Sequence, residues 1–265
     1  MLTDEQKAHW KTFGFLMLRQ VFAPHEVDAL RKATMEVIKE TGGDAVLSGD
    51  KSWAIGAFWE RHSLLASLID DERIHQIPES LLGPDFFLEL TDGHVRVGDT
   101  AWHGRKGSDE SPDSTHLPTA KVAIYLESLK KENGCLCVIP GSHRRPYADS
   151  LAPLWQQDKD PTYRAFGLQG KDIPRIPLET DSGDMIVFTE DVYHASFGSK
   201  TPRLLLSAQY VANPTTEDQV ANIRECHKEH TWSYHPAEAF VNSDRPRIRR
   251  MVAKLLELGM PPLKI

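Results

Sequence analysis

Hydrophobic positions along the chain follow a helical rhythm at the start and change to a strand rhythm near Phe86. Thr3-Asp4-Glu5-Gln6 pairs a capping hydroxyl with a Gln three residues on, which satisfies free amides at a helix start. Phe15-Leu16-Met17-Leu18 reads as a short strand. Ala23-Pro24-His25-Glu26 then opens a second helix, with Pro tolerated in its first turn. Val27, Leu30, Ala33, Val37 and Ile38 give that helix an apolar face, and Gly42-Gly43 ends it. A further helical stretch is expected from Glu60 to Leu81.

From Phe86 onward, short apolar runs alternate with turn residues, the texture of a sandwich or barrel. The clearest strand is Ala120 to Leu126, where Val122, Ile124 and Leu126 alternate with Lys121, Ala123 and Tyr125. Leu136-Cys137-Val138-Ile139 runs into the turn Pro140-Gly141-Ser142, and Asp181-Ser182-Gly183-Asp184 leads into Met185-Ile186-Val187-Phe188. Tyr193 to Phe197 and Arg203 to Val211 supply two more strands. Helical character returns from Thr216 to Lys228 and from Pro246 to Leu258, before Gly259 and Pro261-Pro262. Gly104 to Pro118, rich in Gly, Ser, Asp and Pro, is expected to be a mobile loop.

Composition narrows the picture. A chain of 265 residues, 40% of them hydrophobic, can bury a sizeable core. One domain is expected over 1–265, with a mainly helical part at 1–84, a β core at 85–212 and a helical tail at 213–265. A formal net charge of -7 offers no basic field for a phosphate backbone, so nucleic acid is not the expected partner. The first residues lack a signal-peptide pattern and no segment has the apolar length of a membrane span, which makes the cytoplasm the default location. Oligomeric state is open. Cys135, Cys137 and Cys226 have no second pair at zinc-finger spacing and read as reduced structural thiols.

Twelve histidines are present, so position must decide among them. His103 follows Trp102 at the end of a strand-like stretch, and His194 lies within a strand that follows a Gly-Asp turn. If these strands meet in one jelly roll, both imidazoles point into its interior. Iron(II) in oxygenases takes two imidazoles and usually one carboxylate, leaving positions open for cosubstrate and dioxygen. Arg203, at the start of the next strand, can grip a carboxylate with two prongs, and Ser196 shares a strand face with His194. Lys121 either faces the same cavity or is solvated. His143, closing the Pro-Gly-Ser-His turn, reads as structural.

Trp102-His103, the strand Ala120 to Leu126, the run Glu132-Asn133-Gly134-Cys135-Leu136-Cys137-Val138-Ile139-Pro140-Gly141-Ser142-His143, then Gly183 to Phe188, His194 and Arg203 follow one another in an order that resembles the phytanoyl-CoA dioxygenase family. The resemblance implies a double-stranded β-helix, a cupin-like jelly roll that is mainly β with flanking helices. It also implies iron(II), 2-oxoglutarate and dioxygen as cofactor and cosubstrates, and oxidation of a small organic substrate. Residue by residue, His103 and His194 match the family's metal histidines, Arg203 its 2-oxoglutarate arginine and Ser196 a cosubstrate contact, with Lys121 a further candidate on the cavity wall.

The sequence departs from the family at one position. The family reads His-x-Asp, with the Asp as third metal ligand; this chain reads His103-Gly104-Arg105, and a guanidinium has no lone pair to give. Three outcomes are open. Asp109, Glu110 or Asp113 supplies the missing carboxylate. Alternatively, the position is vacant, as in related iron halogenases where halide binds. In the third, the chain is a metal-poor, catalytically silent homologue that acts as a binding or partner subunit. Selectivity for substrate is expected from the Gly104 to Pro118 loop and from a tail carrying Trp232, Tyr234 and His235.

Overall fold

The computed structural model describes residues 1–49, 51–104, 115–160, 162–199, 201–229 and 233–265. Ten strands occur among the described residues: β1 (Phe15–Leu18), β2 (Trp53–Gly56), β3 (Phe86–Arg96), β4 (Thr100–His103), β5 (Thr119–Tyr125), β6 (Leu136–Val138), β7 (Ile176–Leu178), β8 (Met185–Phe188), β9 (His194–Ser196) and β10 (Arg203–Ala212). They form a six-stranded sheet in the order β1-β8-β5-β10-β3-β2 and a four-stranded sheet in the order β4-β9-β6-β7. All the pairings are antiparallel, which lets each strand bury one face against helices or loops and turn the other into the jelly roll.

The first helix, Asp4–Phe13, starts on the expected capping box, with the Thr3 side chain accepting from the Gln6 amide. Pro24–Thr41 follows as the second helix and buries Val27, Leu30, Ala33, Val37 and Ile38. This face joins Val122, Ile124, Met185, Val187, Leu206 and Ala208 from the outer side of the large sheet in one apolar cluster. A second cluster lies at the small sheet and the interior, with Phe15, Tyr125, Leu136, Val138, Phe188 and Trp102 among its members.

Where continuous helix was expected from Glu60 to Leu81, the structure has short turns, Trp59–Arg61, Ser63–Ser67 and Leu68–Asp70, and then a helix at Glu72–Leu82. The breaks have local causes. The His62 side chain accepts from the Leu64 amide and the Asp71 side chain from the Arg73 amide, so each restarts the chain as a helix N-cap.

Strand β10 is the spine of the large sheet, paired along its length with β3 and over most of it with β5. A register shift between Gln209 and Tyr210 leaves Glu89 as the extra residue on β3. That bulge turns Glu89 towards Gln209, whose side-chain amide donates to its carboxylate at 2.7 Å. On the opposite face of β3, Gly93 lies so close to the Phe58 ring that a Cβ there would meet it at 2.4 Å.

Glu60 sits beneath this face, accepting a hydrogen bond from the Thr91 hydroxyl. Burial pushes its pKa up to about 7 from an ordinary 4.5, against the opposing pull of Thr91. The folded protein therefore holds a proton that the unfolded chain releases. The resulting stability is full below pH 4.5 and is lost as pH rises through about 7. Glu60→Gln keeps the neutral form at every pH. It should match the parent in chemical denaturation at pH 4.5 and exceed it at pH 8, by up to about 3 kcal/mol.

Candidate active site

The histidine pair is assembled by the β4–β9 ladder, which sets His103 opposite His194 and Thr100 opposite Ser196. The imidazole centroids are 4.1 Å apart and their planes tilted by 55°. Each ring is fixed by its own strand: Nδ1 of His103 bonds the Ala101 carbonyl and Nδ1 of His194 bonds the Val192 carbonyl, both at 2.8 Å. Because a carbonyl can only accept, both Nδ1 atoms carry the proton, and each Nε2 keeps its lone pair for a metal. Burial, reinforced by His103, pushes the His194 pKa down to about 3, so the ring is in its neutral, ligating form at any physiological pH.

Packing around the pair explains several residues of the motif. A Cβ on Gly104 would lie 2.9 Å from the Val192 carbonyl oxygen, the same atom that anchors His194. Trp102, fully buried, donates its indole N–H to the Gly170 carbonyl at 2.8 Å and pins β4 from outside. The Ser142 hydroxyl accepts from the Tyr193 amide at 2.8 Å, just before His194. His143 lies against Gly14, its Nε2 3.3 Å from the Lys11 carbonyl, and joins the turn to the first helix in keeping with a structural role.

Arg203 is 4% exposed, facing the interior from the first position of β10. Its guanidinium donates to the carbonyls of Gly134 and Gly98 and to the Ser196 hydroxyl. Its Nε is buried with no hydrogen-bond partner. A buried donor left in this state is costly, and the missing partner is an acceptor. Ser196 lies two residues beyond His194 on β9, so Arg203 and the histidine pair bracket a short, partly apolar space with Leu136 opposite Ser196 and Leu205 opposite Tyr125.

Lys121 takes the inward of the two placements that the sequence leaves open. It faces inward, but in the β10 register it lies opposite Gln209, six residues from Arg203. At roughly 3.3 Å per residue that is a separation of about 20 Å along the strand. Its ammonium is paired with Glu190 at 3.1 Å and Asp92 at 3.6 Å. Lys121 is therefore not part of the Arg203 end of the pocket. Burial pulls its pKa down, but Glu190 and Asp92 outweigh that and hold it above the ordinary lysine value.

Residue-type reasoning missed Asp92, His94, Glu89 and Glu190. Glu89 is signalled as a lone charge inside the apolar run Phe86-Phe87-Leu88-Glu89-Leu90, and Asp92 and His94 as an i, i+2 polar pair on the same strand, whereas Glu190 carries no such mark. Arg105, Asp109, Glu110, Asp113 and Trp232 lie outside the described residues. Among the described residues no group of three His, Cys, Asp or Glu side chains is placed to hold a metal ion. The two imidazoles fit an iron(II) or nickel(II) ion by donor type and tautomer, and the orphaned Arg203 Nε fits a carboxylate end.

A jelly roll with paired interior histidines and an interior arginine is the arrangement that the family resemblance implies, and the comparisons agree on the family. Residues 10–204 match the phytanoyl-CoA dioxygenase (PhyH) family, and the chain belongs to that family. It is 37% identical over 247 residues to phytanoyl-CoA dioxygenase 1 of Oryza sativa subsp. japonica, covering 76% of this chain and 85% of that one. With the peroxisomal phytanoyl-CoA dioxygenase of Mus musculus it shares 21% identity over 223 residues, 76% of this chain, and spans 65% of that relative's length. The crystal structure of HygX from Streptomyces hygroscopicus with nickel and 2-oxoglutarate bound superposes with a TM-score of 0.64 at 20% identity, over 82% of this chain and 89% of that one. This likeness shows the shared fold.

Gly104→Ala should test the packing of the pair. The added methyl group displaces the Val192 carbonyl and loosens His194, so nickel(II) affinity measured by calorimetry should fall by about tenfold, in line with the loss of an outer-shell partner.

Proposed function

We propose that this chain catalyses iron(II)- and 2-oxoglutarate-dependent oxidation of an aliphatic C–H bond in a small organic substrate. His103 and His194 hold the metal, and Arg203 with Ser196 holds the far carboxylate of 2-oxoglutarate. The observation that carries this reading is the buried Arg203 Nε without a protein partner, beside a Ser196 hydroxyl that accepts from the same guanidinium. An accepting hydroxyl keeps its own hydrogen, so Ser196 and Arg203 Nε together present two donors to one carboxylate.

When bound, iron(II) and 2-oxoglutarate supply the dioxygen-activating chemistry, and the chain's own residues position and shield the reactants. His103 and His194 present neutral nitrogens with fixed tautomers. Leu136, Leu205 and Tyr125 line the path between them and Arg203 and keep water from it. Arg203 sets the cosubstrate's direction by charge. Two neutral imidazoles balance none of the metal's charge, so the dianionic cosubstrate supplies what a third carboxylate would otherwise provide.

Arg105 supports a second reading, a metal-poor homologue that binds without oxidising. An anaerobic titration separates the two. The first predicts a weak visible charge-transfer band with iron(II) and 2-oxoglutarate and succinate once air is admitted; the absence of both overturns it.

Two further outcomes are expected. Iron(II) affinity should rise at least about tenfold at saturating 2-oxoglutarate, because the cosubstrate brings the balancing charge. Arg105→Asp should raise iron(II) affinity in the absence of 2-oxoglutarate if the position faces the metal; calorimetry under nitrogen measures both.

A further inference from the structure

On the outer face of the large sheet, turned away from the histidine pair, the second helix and the start of β10 frame a cavity of about 440 Å³. Its apolar wall comes from Met35 and Ile38 of that helix, Val46 of the short helix Asp44–Leu47, Val95 of β3 and Leu204 of β10. Leu204 is the neighbour of Arg203, and alternation along β10 sends the two to opposite faces, Arg203 into the jelly roll and Leu204 into this cavity. The cavity is therefore separate from the pocket assigned above. Gly49 lies so close to Pro202 that a Cβ would meet its Cγ at 2.1 Å, which ties the chain after the short helix to the β10 side of the wall.

One acid stands in this apolar wall. Glu127 is half-buried, and its Oε1 accepts from the Leu204 amide at 2.6 Å, which leaves Oε2 to whatever occupies the cavity. The other polar side chains of the wall are spent or peripheral. Asn133 accepts from the Lys130 amide at 2.5 Å and donates to the Ser128 carbonyl at 3.3 Å, while Ser128 and Thr201 are exposed at the rim.

The charge on Glu127 is already met. Burial raises its pKa above the ordinary 4.5, while the Leu204 amide and the guanidinium groups of Arg31 and Arg203 pull it down. With two cations acting on one carboxylate, the cavity calls for a hydrogen-bond donor at Oε2 and not for a further positive charge. Apolar walls, one placed polar group and this volume are the usual form of a small-molecule site.

We propose that this cavity is a second binding site, distinct from the histidine pair, for an apolar molecule that carries one neutral hydroxyl. The apolar body lies against Met35, Ile38, Val46 and Leu204, and the hydroxyl donates to Glu127. An ionised carboxylate in its place has no hydrogen to offer. An ammonium would add a third cation beside Arg31 and Arg203 and give up its hydration on entry.

Three probes of equal chain length, 1-heptanol, heptanoate and heptylammonium, test the site on the full chain, with binding followed by ligand-observed NMR titration. Heptanol should bind saturably and at least about fivefold more tightly than either charged probe, the effect of one hydrogen bond. Met35 is 37% exposed on the second helix, so Met35→Trp fills the cavity from its rim without disturbing the core and should abolish saturable binding. Glu127→Leu should weaken heptanol about fivefold. Should that variant misfold through loss of the Leu204 contact, Met35→Trp carries the test. Adsorption that does not saturate, heptanol binding unchanged in Met35→Trp, or a preference for either charged probe overturns the inference.

Discussion

The antiparallel pairing of β4 with β9 is the constraint on which the pocket depends. Each of these strands is only three or four residues long, and each carries one histidine at its end. Pairing places the imidazoles close together and tilted by 55°, and the strands' own carbonyls orient them. The rest of the structure keeps this short ladder in place. Trp102 and the Pro-Gly-Ser turn hold it from outside, the close approach of Gly104 to Val192 holds it at the end, and Phe188 of the large sheet closes over His194 from within.

Much of this was legible in the sequence where local signals and tertiary packing agree. The capping box at Thr3, the apolar face of the second helix and the strand Met185–Phe188 emerge as expected, and β5 and β10 lie within one residue of the predicted limits. The family resemblance placed His103, His194 and Arg203 in one interior, and the ladders bring them there. Other features depend on partners distant in sequence. Strand β2 has only four residues and owes its form to pairing Trp53 with Val95. The stretch from Glu60 onward has helical periodicity, but His62 and Asp71 interrupt it by capping with their side chains. Glu89 is turned inward by a bulge that shifts the strand alternation, so no fixed period assigns its face.

Lys121 shows how register decides what alternation leaves open. Of the two readings the sequence allows, cavity-facing or solvated, the side chain takes the inward one. Depth along the barrel, however, is set by its register with β10, which places it beside Asp92 and Glu190 and far from Arg203. Residue type suggested an anion-binding lysine; the surrounding carboxylates already occupy it.

Spacing along β9 has a consequence for chain length. Ser196, which shares the Arg203 guanidinium, lies two residues past His194, a rise of about 7 Å. With the metal end fixed by carbonyl-locked imidazoles and the far end fixed by a buried arginine tied to Gly98 and Gly134, neither anchor is free to slide. On the proposed assignment, two fixed anchors leave one length of diacid between the histidine pair and Arg203. The separation of those anchors is then a property of backbone register, set by the pairing of β9 with β4 and β6.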